Sequence, residues 1–156
     1  MKIKIVIDEN LLEDEIVIAC KEYNDNVVLI KDMLQKQTQA PKSILVFNQD
    51  TQYFLDLNDI IFFQSEGKNN YVHTITNYYL VKEKLYELEK ILPDNFIRVS
   101  KSGIVNINKI FAINKNFASY GDIEFKDSLK QLTISRSYYP LFKELFEERR
   151  KIYAKK

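Results

Sequence analysis

Asp59-Ile60-Ile61-Phe62-Phe63-Gln64-Ser65-Glu66-Gly67-Lys68-Asn69-Asn70-Tyr71-Val72-His73-Thr74-Ile75 decides what kind of fold this chain builds. Ile60 to Phe63 is a short apolar run of strand length. Ser65 to Asn70 is wholly polar and contains a glycine, the composition of a turn. Tyr71 to Ile75 then reads as a second strand, with Tyr71, His73 and Ile75 on one face and Val72, Thr74 and Thr76 on the other. Two short strands around a polar turn argue for β-structure.

The pattern extends in both directions. Upstream, Ile44 to Phe47 and Gln52 to Leu55 flank the hairpin turn Asn48-Gln49-Asp50. Downstream, Asn77 offers a turn before Tyr78 to Val81. A helix follows, with Leu85, Leu88, Ile91 and Leu92 as its apolar stripe and Pro93-Asp94 as its stop. Phe96 to Val99, Ile104 to Val105, Lys109 to Ile113, Phe117 to Tyr120, Ile123 to Phe125 and Leu132 to Ile134 are all strand-like. A last amphipathic helix is expected from Ser135 or Ser137, with Leu141, Phe142, Leu145, Phe146 and Ile152 as its apolar side.

Towards the N-terminus the character changes. Gln35 to Ser43 is polar and without periodicity, the best linker candidate. Before it, Ile3 to Ile7 reads as a buried strand. Asn10 is placed to cap a helix whose inner face would be Leu12, Ile16, Ala19, Cys20 and Tyr23. That makes Cys20 a core thiol. Asn24-Asp25-Asn26 is turn chemistry, and Val27 to Gln35 favours helix slightly over strand. The expected organisation is a small α/β appendage over residues 1–40 and a mainly β, α+β domain of antiparallel sheets with short helices over 44–150.

With 156 residues, 46% hydrophobic and 29% charged, the chain has the composition of one globular domain plus a small unit, which excludes disorder and collagen-like repeats. Ten Tyr and ten Phe beside three Gly and three Pro favour a strand-rich core. The net charge of +1 excludes a histone-like protein but hides an asymmetry. Residues 1–50 carry six lysines and nine acids, a net −3, whereas 51–156 carry seventeen bases and thirteen acids, a net +4. One cysteine permits no internal disulfide or thiolate cluster. No apolar run nears the roughly 18 to 20 residues of a membrane span, and the N-terminus is a poor signal peptide, so a cytoplasmic protein is expected.

Catalytic chemistry finds little support. The single histidine, His73, lies mid-strand without a nearby acid or thiol pattern, and a packing or surface role is its better reading. Metal-ligand spacings, a Gly-rich phosphate loop and a serine elbow are all missing. Asp8-Glu9 after the first strand suggests the acidic pair of a phosphate receiver, but some forty residues cannot hold that fold. No catalytic residue, metal, cofactor or small-molecule substrate is therefore expected.

Three polar clusters carry more information: Ser65 to Asn70, Arg98 to Gly103, and Ser135-Arg136-Ser137. Each presents amide, hydroxyl and cationic donors on a loop framed by rigid elements. Such groups suit phosphate oxygens and base edges in a major groove. A helix starting near Ser137 would add free backbone N–H groups. Three ordinary polar turns are the alternative reading.

Four blocks now matter together. Asp59 to Val72 resembles the opening block of the LytTR DNA-binding domain. Leu85-Tyr86-Glu87-Leu88-Glu89-Lys90-Ile91-Leu92-Pro93-Asp94-Asn95-Phe96-Ile97-Arg98-Val99 is similar to its helix and following strand. Ser102-Gly103-Ile104-Val105-Asn106-Ile107-Asn108-Lys109-Ile110 resembles its Ser-aromatic-apolar-Val-Asn-x-x-x-Ile block, and Leu132-Thr133-Ile134-Ser135-Arg136-Ser137-Tyr138 its Ser-Arg ending. The resemblance runs in unbroken order over residues 44 to 147.

The resemblance implies small antiparallel sheets side by side and loops that enter successive major grooves of double-stranded DNA. It puts Asn70, Lys101 and Arg136 at base-reading positions, with Lys68, Asn69, Ser102 and Ser137 as phosphate-contact candidates. Asn106 is expected to be structural, holding a turn to Ile110. Two departures stand out: the family's His-Arg is Ser100-Lys101 here, and its aromatic two residues later is Gly103. Lysine offers a point charge where arginine offers a fork. The family's receiver domain is not legible in residues 1–40. The expected function is sequence-specific transcription regulation, as a homodimer or two copies per site. A β-rich protein-interaction module that has lost DNA affinity is the alternative.

Overall fold

Neighbouring residues in the central strands belong to different cores. Phe63, Ile104 and Phe96 join one buried cluster, while Phe62, Val105 and Ile97 join another. This computed structural model describes residues 4–12, 14–39, 41–115 and 121–153, and the chain forms two compact units, 1–38 and 39–156.

In the second unit the strands are β1 (Ser43–Asn48), β2 (Thr51–Asp56), β3 (Phe62–Glu66), β4 (Asn69–His73), β5 (Tyr78–Val81), β6 (Phe96–Ser100) and β7 (Gly103–Asn106). They make a seven-stranded antiparallel sheet in the order β2-β1-β5-β4-β3-β7-β6. Strands β8 (Ile110–Asn114), β9 (Gly121–Phe125) and β10 (Gln131–Ile134) form a second antiparallel sheet in the order β10-β9-β8. Helix α2 (Leu85–Ile91) supplies Leu85 and Leu88 to the first core, and helix α3 (Tyr139–Tyr153) supplies Phe142 to the second.

This arrangement explains the continuous run Ile60-Ile61-Phe62-Phe63. A strand wetted on one face alternates apolar and polar residues, whereas one covered on both faces is apolar throughout. Phe63 pairs with Val72 on one side and Ile104 on the other, within the core that receives α2. Phe62 pairs with His73 and Val105 and faces Phe125 of the smaller sheet at a centroid distance of 5.3 Å. Full burial of side chains this size contributes about 2 to 3 kcal/mol each.

The two sheets are also tied at their turns. Lys130 Nζ donates to the carbonyls of Thr74 (2.8 Å) and Asn77 (2.5 Å), and Ser128 Oγ donates to that of Ile75 (3.1 Å). Asn106, only 2% exposed, donates from Nδ2 to the Ile60 carbonyl at 2.9 Å. Its Oδ1 accepts from Asn95 Nδ2 and from the Asn108 N–H, so it caps the turn towards Ile110 and also braces the sheet.

Several expectations need correction. In the first unit, no strand forms at residues 4–7 and no helix over the described residues from Asn10 to Tyr23. Ile5 is 84% exposed, Leu12 is 101% exposed, and Cys20 is exposed rather than a core thiol. Three consecutive acids, Glu13-Asp14-Glu15, precede the β-branched run Ile16-Val17-Ile18, and neither favours a helix lacking a packed face. The regular element of this region is α1 (Asp25–Gln39), begun by Asn24, whose Oδ1 accepts from the Val27 N–H at 3.2 Å. It runs through Gln35–Gln39, expected as linker. Helix α3 starts at Tyr139, later than expected, and leaves Leu141 52% exposed. The strand expected over Phe117 to Tyr120 lies outside the described residues.

Candidate nucleic-acid interface

Three loops converge at neighbouring ends of β3, β4, β6, β7 and β10. The β3–β4 turn closes with Glu66 opposite Asn69 and has Gly67 at φ 62°, a left-handed value that favours glycine. Lys68 and Asn69 are exposed on it. The Ser65 N–H leaves this hairpin and donates to the Ser102 carbonyl at 2.8 Å, joining it to the β6–β7 turn. The Ser135 N–H donates to the Val99 carbonyl at 2.9 Å, joining the β10–α3 junction to β6. Backbone bonds thus stitch the three loops into one contiguous stretch.

The seven candidate residues fall into two groups. Lys68, Asn69, Lys101, Ser102, Arg136 and Ser137 are exposed. Asn70 is not: it is 7% exposed, with its Oδ1 accepting from Ser65 Oγ and its Nδ2 donating to the Glu83 carbonyl at 2.8 Å. In this conformation Asn70 braces its hairpin against the chain leading into α2. The amide N–H groups of Tyr138 and Tyr139 both donate to the Ser135 carbonyl at 3.1 Å. They are therefore not the free donors expected at the start of the last helix, and Ser137 and Arg136 carry the exposed chemistry there.

Lys101 and Ser102 sit on a turn held from below. Arg98, before a β-bulge, donates from Nε to the Ser100 carbonyl (2.6 Å) and from Nη2 to the Lys101 carbonyl (2.5 Å). Its Nη1 meets Glu89 Oε2 of α2 at 2.7 Å. The Ser102 N–H adds a bond to Ser100 Oγ at 3.2 Å. Sequence reading placed Arg98 in the polar cluster without giving it a role. Alternation was the available signal: Arg98 sits between Ile97 and Val99, which enter the same core across the bulge.

Gly103 is also explained. A Cβ there would stand 3.1 Å from Leu132 Cδ1 and 3.2 Å from Ser100 Oγ, so a larger residue requires these side chains to give by a few tenths of an ångström. His73 packs between Phe62 and Tyr78, with ring centroids 4.2 Å and 5.8 Å away, and neither ring nitrogen has a partner. Burial, with Lys130 nearby, lowers its pKa to about 4, so it stays neutral near pH 7. Among the described residues, no group of three or more His, Cys, Asp or Glu could hold a metal ion, and no helix is long and apolar enough to cross a membrane.

Comparison with known proteins agrees with this fold. The family model described as the LytTr DNA-binding domain matches residues 50–147. A protein of Staphylococcus aureus strain NCTC 8325 / PS 47, described as an uncharacterized HTH-type transcriptional regulator, is 35% identical over 106 residues, covering 68% of this chain and 71% of its own. A counterpart with the same description in strain MRSA252 is 34% identical over the same span. This chain has no two consecutive helices among its described residues; five strands separate α2 from α3. A solved LytTr DNA-binding domain from Bacillus cereus superposes with a TM-score of 0.64 at 26% identity, covering 68% of this chain and 97% of that one. With the family model, the relatives and the superposed fold in agreement, the chain belongs to the LytTR DNA-binding domain family.

Proposed function

We propose that the protein is a sequence-specific regulator of transcription that reads the major groove of double-stranded DNA through its three stitched loops. The observation that carries this reading is the pair of backbone bonds, Ser65 to Ser102 and Ser135 to Val99, which hold exposed Lys68, Lys101 and Arg136 in adjoining loops. Lys101 and Arg136 read base edges, while Lys68, Asn69, Ser102 and Ser137 meet phosphates. Asn70 contributes by bracing its loop, and reaches a base only by giving up its two internal bonds.

Two copies act per site, as a homodimer or side by side on repeated sequence, and the protein works in the cytoplasm on the chromosome. The relatives described as transcriptional regulators support the regulatory role. The test is a gel shift with DNA from the protein's own promoter across a salt series. Affinity should fall steeply as salt rises, because phosphate contacts release counterions. No binding at low salt, or binding indifferent to salt, overturns the reading. Stoichiometry from the same titration distinguishes one copy per site from two.

A further inference from the structure

We infer that Arg98 and Glu89 form a positioning clamp that fixes the β6–β7 turn in the shape in which Lys101 meets DNA. The inference rests on the DNA-reading role given to Lys101. All three guanidinium nitrogens of Arg98 are engaged, two by the successive carbonyls of Ser100 and Lys101 and one by Glu89. The arginine side chain is 16% exposed and the glutamate 40%. Its charge is therefore used inside the protein, neutralised by Glu89, while the exposed cation of the turn is Lys101.

The physical reason is geometric. A two-residue turn leaves carbonyls that would otherwise face water and adopt several orientations. A planar fork fixes two of them at once, and a lysine, with its single ammonium, cannot reproduce both bonds and the carboxylate pair in one plane. A turn ordered beforehand spares the complex the entropy of ordering it. Glu89 anchors the fork to α2, whose Leu85 and Leu88 are buried in the core. The turn thereby takes its position from the helix as well as from the sheet. The familiar reading of an arginine near DNA is a phosphate contact, and this one is turned the other way.

The test uses the full chain and a fragment of its own promoter. Arg98→Lys and Glu89→Gln are each measured in the Lys101 background and in Lys101→Ala. Acting through Lys101, Arg98→Lys should weaken binding about fivefold to tenfold in the first background and less than about twofold in the second, the coupling expected of residues in one network. Equal losses in both backgrounds overturn the proposal, because Arg98 would then act on DNA or on the fold independently.

Amide hydrogen exchange without DNA supplies a second readout. Exchange at Ser102 and at Ser65, whose N–H groups bond within the turn and to it, should quicken about tenfold or more in Arg98→Lys while core amides such as Val72 keep their protection. Unchanged exchange at both overturns the clamp. If the unaltered chain does not bind DNA but exchange responds as expected, the DNA reading falls and the clamp on the turn stands.

Discussion

Leu132 Cδ1 stands 3.1 Å from the point where a side chain on Gly103 would begin. The Leu132 side chain of β10 thus packs against β7 beside the Lys101 turn, and a side chain at position 103 requires it to give way by a few tenths of an ångström. Gly103→Ala is expected to destabilise the domain by about 1 to 2 kcal/mol through overpacking against buried Leu132. Urea unfolding measures it. The cost should shrink in Leu132→Val, which removes the opposing atom; an unchanged cost would place the strain elsewhere.

Asn106→Ala should cost more. The change strands the buried Ile60 carbonyl and deprives Asn95 Nδ2 and the Asn108 N–H of their acceptor. Leaving such groups unpaired costs about 2 to 4 kcal/mol in all, which denaturant unfolding resolves easily. Asn106→Asp keeps the acceptor but puts a carboxylate oxygen against the Ile60 carbonyl, so it should rescue little. Near-wild-type stability in Asn106→Ala would show that water or repacking satisfies these partners.

Much of this was legible in the order of residues. The hairpins around Asn48 to Asp50 and Ser65 to Asn70, the α2 stripe at Leu85, Leu88 and Leu92, and the three polar loops all follow from short-range pattern, whereas Ile91 of the expected stripe is exposed. What pattern could not supply was tertiary context. The stripe Leu12, Ile16, Ala19 has helical spacing, yet spacing gives a helix only where something covers its apolar face. Asn70 and Arg98 look like surface chemistry in the sequence because Asn and Arg are usually exposed. Their inward turn depends on Glu83 and Glu89, residues 13 and 9 positions away. No local rule couples residues at those separations.

His73 gives the domain a pH-dependent stability of known sign. Its folded pKa is lowered to about 4 by burial and by Lys130, from an ordinary 6.5. The unfolded chain therefore binds a proton in the interval where the folded chain does not, and stability falls as pH drops from about 6.5 towards 4. Above about 6.5 the residue contributes no slope. His73→Phe keeps a ring between Phe62 and Tyr78 and removes the titration. The drop in urea midpoint between about pH 7 and pH 4.5 should be smaller in the variant, and equal drops would refute a neutral buried His73.

Base and phosphate contacts separate by what each substitution does to sequence preference. Arg136→Ala should weaken binding to the target by about 1 to 3 kcal/mol and bind unrelated DNA almost as before, since a lost base contact lowers discrimination. Lys68→Ala should weaken both DNAs alike and reduce the slope of log affinity against log salt by about 1, the signature of a lost phosphate contact. Lys68 is exposed, so thermal unfolding should hardly move in Lys68→Ala. A variant of Arg136 that binds target DNA with full affinity and folds normally would remove it from the base-reading set. One that loses affinity equally on both DNAs would move it among the phosphate contacts.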